Sequence, residues 1–81
     1  MEGEPWKILI VDDHEVVRMG LKTLLGRHEA FKVVGEAGSR AEAVEMAARY
    51  TPDVVIMDIR LPDGSGVEAC RVIRAENPNA K

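Results

Sequence analysis

Val54-Val55-Ile56-Met57 is an unbroken apolar run that ends at Asp58, and Ile8-Leu9-Ile10-Val11 is a second that ends at Asp12-Asp13. Short runs rich in β-branched residues and lacking polar alternation are the pattern of strands covered on both faces, as in a parallel sheet between helices. After Asp58, the residues Pro62, Gly64 and Gly66 read as a loop. Ser65 followed three residues later by Glu68 is the capping box of the next helix. Each apolar strand therefore delivers acid to its carboxyl end, and parallel strands would bring those ends together.

The segments between fit the same scheme. Met1 to Pro5 is a polar start without pattern. From His14 to about Arg27, the residues Val17, Leu21, Leu24, Leu25 and His28 form a helical stripe, which Gly20 weakens by about 1 kcal/mol relative to Ala without breaking its period. Phe31 to Ala37 reads as a shorter, more polar strand at a sheet edge. Ser39 with Glu42 repeats the capping box, and Ala43, Val44, Ala47 and Tyr50 give a second helix its apolar side until Thr51-Pro52 stops it. Val67, Ala69, Cys70 and Ile73 mark a third helix ended by Asn77-Pro78.

The order β-α-β-α-β-α, with no linker, repeat or low-complexity stretch, implies one α/β domain over residues 1–81 with a parallel sheet. If the third strand lies beyond the first from the second, right-handed crossovers place helices on both faces and give strand order 2-1-3. The switch point of such a sheet is a crevice at the carboxyl ends of strands one and three, lined by Asp12, Asp13 and Asp58. At about 4 Å and an effective dielectric near 20, each like-charge pair there costs roughly 4 kcal/mol. The cluster calls for a cation, a proton or a solvent gap. An all-oxygen site with few protein ligands suits Mg²⁺, and Mg²⁺ beside a carboxylate nucleophile is the arrangement for forming an aspartyl phosphate. Asp58 is the candidate nucleophile.

Composition narrows the field. The net charge of −3 and the scattered Lys and Arg argue against a nucleic-acid surface. The lone Cys70 cannot form an internal disulfide, and no apolar run approaches a signal sequence or a membrane span, which makes the cytoplasm the expected compartment. At 81 residues the chain buries only roughly 60 to 65% of its unfolded surface, so its stability is expected to be small.

Ile8 to Val11 with Asp12-Asp13, and Met57-Asp58-Ile59-Arg60-Leu61-Pro62-Asp63-Gly64-Ser65-Gly66, together resemble the receiver domain of two-component response regulators, the CheY-like family with a flavodoxin-like fold. Asp12-Asp13-His14-Glu15-Val16-Val17-Arg18-Met19-Gly20-Leu21 is similar to the NarL/FixJ (LuxR-type) subgroup, whose members usually carry a DNA-binding helix-turn-helix domain after the receiver. The resemblance implies that Asp58 accepts phosphate from a histidine kinase, as a signalling module rather than an enzyme. It also implies that Asp13 and Asp58 ligate Mg²⁺ directly, Asp12 through water and Arg60 through its main-chain carbonyl, with the Pro62 and Gly64 to Gly66 turn shaping the loop.

A complete receiver has five β-α units, and this sequence presents three. The family's phosphoryl-binding Ser/Thr and its Lys belong to the fourth and fifth strands, and Lys81 falls too early to serve as that Lys. The expectation is the acidic half of a site with weak or slow phosphorylation, and a homodimer or oligomer formed through the third strand's edge and the first helix's bare face. A self-associating fragment without phosphotransfer is the alternative. A phosphatase of the haloacid dehalogenase type fits poorly, because Arg60 stands where that chemistry needs a second acid. Other residues read as structural: His14 as an exposed first-turn residue, His28 as a cation at a helix end, Asp63 as a solvated turn residue, Cys70 as core and Trp6 as a packing anchor.

Overall fold

The computed structural model of the chain describes residues 5–80, so the patternless stretch Met1 to Glu4 and Lys81 lie outside the described residues. β1 (Trp6–Val11) lies between β2 (Phe31–Ala37) and β3 (Val54–Met57) in a parallel sheet of order β2-β1-β3. This is the 2-1-3 order expected from the sequence. The connections are α1 (Glu15–Leu25) and α2 (Arg40–Tyr50). After β3 comes an antiparallel hairpin of β4 (Arg60–Leu61) and β5 (Gly64–Ser65), and then α3 (Gly66–Glu76).

β1 is the buried centre because it has a neighbour on each edge and helices above and below. Its two faces divide by the period-2 alternation of a strand. Leu9 and Val11 pack with Ala43 and Ala47 of α2, Leu61 of β4 and Ile73 of α3. Ile8 and Ile10, equally buried, point to the opposite side, where α1 lies. The small residues Ala43, Ala47 and Ala69 let α2 and α3 approach the sheet and one another closely.

Helix ends follow the local chemistry. Ser39 Oγ accepts the Glu42 amide at 3.1 Å, while the Glu42 carboxylate accepts the Gly38 amide at 2.9 Å, one residue earlier than in the standard capping box. Thr51 ends α2 in the left-handed region at φ 42°, and the buried Pro52 forbids continuation. Asn77 closes α3, and its side-chain amide donates to the Pro52 carbonyl at 3.3 Å.

Several expectations need correction. β3 was expected to be buried on both faces, but all four of its residues are only partly buried, since its outer edge has no partner strand among the described residues. β2 is the longest strand rather than a short one, extended by a bulge where Ile8 pairs with Val33 and Leu9 with Gly35. The glycine-rich loop is a small hairpin. Ser65 caps α3 through the Val67 amide at 3.1 Å, but Glu68 does not reach back and instead pairs with Arg40 at 2.7 Å. α1 has the predicted stripe, yet it buries no residue, and Val17 and Leu24 are exposed. His28 lies beyond the end of α1, edge-on to the Phe31 ring at 5.8 Å. Cys70 is only half-buried, and Trp6 is 46% exposed at the start of β1 rather than a packed anchor.

Candidate functional site

The parallel pairing of β1 with β3 sets Val11 opposite Met57, so the next residue on each strand, Asp12 and Asp58, emerges at the same edge. Two backbone bonds continue the ladders past the strand ends. The Asp58 amide donates to the Val11 carbonyl at 2.9 Å, and the Asp12 amide donates to the Ala37 carbonyl at 3.0 Å. Asp12, Asp13, His14 and Asp58 each offer one ligand atom, and these atoms all lie within 4.8 Å of one another. The three predicted carboxylates therefore do converge, at the carboxyl edge of the sheet where its strand order reverses.

His14 is the member that the sequence reading set aside. Its ring is exposed, as expected, yet Nδ1 stands 2.8 Å from Asp12 Oδ1 and 2.9 Å from Asp13 Oδ1. The hydrogen bond to Asp12, reinforced by the charges of Asp13, Asp12 and Asp58, holds the His14 imidazole above the ordinary histidine range. Burial alone would raise the Asp12 carboxyl. The His14 amide and ring, together with the Arg18 charge, outweigh that effect and hold it below the usual aspartate range. An adjacent Asp-Asp-His triplet was the available signal. Only the turn into α1 decides that the ring folds back over the acids.

Asp58 is shaped from the other side. Its Oδ1 accepts the Arg60 amide at 3.2 Å, and the Gly66 amide donates to the Ile59 carbonyl at 2.7 Å, closing the loop beneath it. Arg60 is thus brought beside Asp58, and the contact it makes there is through its amide. Gly66 is obligatory, because a Cβ at that position would stand 2.0 Å from the Asp58 carbonyl oxygen. Asp63, expected to be solvated, accepts the Arg40 amide at 2.6 Å and the Ala41 amide at 3.0 Å. Those two amides, the Arg40 amide foremost, hold its carboxyl below the usual aspartate range.

The donor set is chemically a hard-cation site. Three carboxylates at one strand edge supply oxygen ligands and excess negative charge, and an imidazole drawn in between Asp12 and Asp13 reflects that excess. The residues therefore fit Mg²⁺.

Residues 8–81 match the family described as "Response regulator receiver domain". The chain belongs to the response regulator receiver family. Over 75 residues this receiver is 51% identical to the DNA-binding transcriptional activator DevR/DosR of Mycobacterium tuberculosis, covering 93% of the chain and 35% of that relative. It is 42% identical to the response regulator protein VraR of Staphylococcus saprophyticus, covering 95% of the chain and 37% of the relative. A LuxR-family two-component response regulator from Aurantimonas superposes with a TM-score of 0.89 at 40% identity, covering 96% of this chain and 56% of that one. The receiver thus spans about a third of the length of these curated relatives. Among the described residues, no helix is long and apolar enough to cross a membrane.

Proposed function

We propose that the chain is the phosphoacceptor module of a two-component response regulator, with Asp58 receiving a phosphoryl group from the phosphohistidine of a histidine kinase. The observation that carries this reading is the convergence of Asp12, Asp13 and Asp58 at the carboxyl ends of β1 and β3. An Asp58 carboxylate oxygen attacks phosphorus, the bond from phosphorus to the donor's histidine nitrogen breaks, and an acyl phosphate results. The Arg60 amide bonded to Oδ1 orients the carboxylate for that attack. Asp13 and Asp58, with Asp12 and the Arg60 main-chain carbonyl, are the groups that would hold Mg²⁺. When bound, the ion neutralises charge on the transferring phosphoryl oxygens.

The parent is a DNA-binding regulator of the LuxR type, a reading supported by the similarity to the DNA-binding activator DevR/DosR and to the LuxR-family regulator of Aurantimonas, and it acts in the cytoplasm. The segment itself is a receiver segment that does not touch nucleic acid. Copies of it associate through the β3 edge and the exposed face of α1, features that also favour a second reading as a self-associating module without phosphotransfer.

Titration with beryllofluoride and Mg²⁺, followed by amide NMR, separates the two readings. A phosphoacceptor gives Mg²⁺-dependent shifts around Asp58 that vanish in Asp58→Ala, and acetyl phosphate adds one phosphoryl group to its intact mass. Indifference of the wild-type chain to both reagents would leave only the self-associating module.

A further inference from the structure

The first turn of α2 is completed from a distant part of the chain. The Glu42 amide finds its acceptor locally in Ser39 Oγ, but the amides of Arg40 and Ala41 are both taken by the carboxylate of Asp63, at 2.6 and 3.0 Å. A helix start leaves such amides without intrahelical partners, and a carboxylate is the group that both their hydrogen bonding and the helix dipole favour. Asp63 follows Pro62 at the tip of the hairpin in which Arg60 pairs with Ser65 and Leu61 with Gly64. The same tip is gripped a second time. The Arg40 side chain lies so close to Gly64 that a Cβ there would meet its Nη1 at 2.9 Å, and Nη1 itself donates to Glu68 of α3 at 2.7 Å.

The other end of this hairpin is the phosphoacceptor. Arg60 donates to Asp58 Oδ1, the Gly66 amide donates to the Ile59 carbonyl, and Gly66 sits against the Asp58 carbonyl with no room for a side chain. Only the short paired segment separates the pinned tip from the reactive carboxylate, and both β4 and β5 are just two residues long. So short a ladder has little rigidity of its own, and its position must come from what holds its ends.

We propose that Asp63 is a positioning residue of the Asp58 site: by binding the first two amides of α2 it fixes the hairpin that places the Asp58 carboxylate and the Arg60 backbone. The proposal rests on the phosphoacceptor reading above. It assigns to Asp63 the role that groups outside the first ring of ligands play at metal sites, where their loss typically weakens affinity about tenfold or more.

Four versions of the whole chain test it: wild type, Asp63→Ala, Asp63→Asn and Ser39→Ala. Ser39→Ala removes a cap from the same helix start without touching the hairpin, so it reports what helix destabilisation alone does. The readouts are hydrogen exchange at the Gly66 amide and Mg²⁺-dependent beryllofluoride affinity. Asp63→Ala is expected to lose Gly66 protection and to bind about tenfold more weakly, whereas Ser39→Ala stays within about twofold of wild type despite a comparable loss of thermal stability. Asp63→Asn, which keeps one oxygen acceptor, falls between them and replaces the alanine variant should that one not fold. Equal effects of Ser39→Ala and Asp63→Ala, or a wild-type response in Asp63→Ala, overturn the proposal alone. A wild-type chain that ignores beryllofluoride overturns the phosphoacceptor reading and this proposal together.

Discussion

Two glycines have opposite meanings here. Gly66 is buried as the first residue of α3, and a methyl group on it would collide with the Asp58 carbonyl oxygen, a backbone atom that cannot step aside without moving the acceptor. Gly66→Ala should therefore cost about 3 kcal/mol or more, the upper end of overpacking, and should abolish the beryllofluoride response. Gly20 has nothing within 4 Å of its would-be Cβ and sits inside α1. Gly20→Ala should stabilise by up to about 1 kcal/mol, from helix propensity alone. Urea midpoints of the two variants check both expectations, and a Gly66→Ala midpoint equal to wild type would contradict the geometry. At this scale the sequence was legible for the acids, because apolar runs that end in Asp locate them along the chain. It was not legible for His14 or Asp63. Their partners are chosen by a side-chain turn and by a contact 23 residues away in sequence, and neither leaves a local pattern.

α1 shows how an element can be correctly located and still be held by unexpected forces. Its 3.6-residue stripe predicted an apolar seat, but no residue of the helix is buried. Leu21 and Leu25 are only half-buried, and charge supplements that apolar contact. Arg18 Nε donates to Glu36 Oε1 at 3.0 Å and its guanidinium also bonds the Asp12 carbonyl, while Lys22 reaches Glu36 Oε2 at 2.7 Å. Arg18→Ala should cost about 1 to 2 kcal/mol, since a mostly buried cation leaves both a carboxylate and a carbonyl short of a donor. Lys22→Ala, at a more exposed pair, should cost about 0.5 kcal/mol. The Lys22 hydrogen bond, with help from Arg18, holds Glu36 below the ordinary glutamate range. A carboxyl depressed in the folded state stabilises above its unfolded pKa, and that contribution disappears as pH falls through the folded value. Stability of the wild type should therefore fall more steeply with acidification than that of Glu36→Gln, as measured by urea unfolding across the acid range. The sequence announces the helix through its period. The clamp was hidden because Glu36 lies on β2, and its pairing with α1 exists only once the sheet has formed.

For the molecule as a whole, the alternation of strands and helices announces a parallel sheet, while the β2-β1-β3 order rested on the third strand lying beyond the first, as the family resemblance implies, and the site followed from that order. What the sequence misjudged was how evenly the core is covered. Leu9, Ile10 and Val11 are enclosed, but β3 is only partly buried along its length, and Val17 and Leu24 of the α1 stripe stay exposed while Leu21 and Leu25 are half-buried. An unpaired strand edge offers a row of amides and carbonyls to another chain, and an apolar patch beside it adds a driving force that a polar edge lacks. Sedimentation should accordingly show association that grows with concentration in the micromolar range. Leu24→Glu, on the exposed stripe of α1, should weaken that association while leaving the Asp58 site able to respond to beryllofluoride, because Leu24 sits in the last turn of α1, away from the Asp12-Asp13 end. If the wild type sediments as a compact monomer at every concentration, the edge is already protected by its own twist and side chains, and the exposed stripe of α1 has no part in self-association.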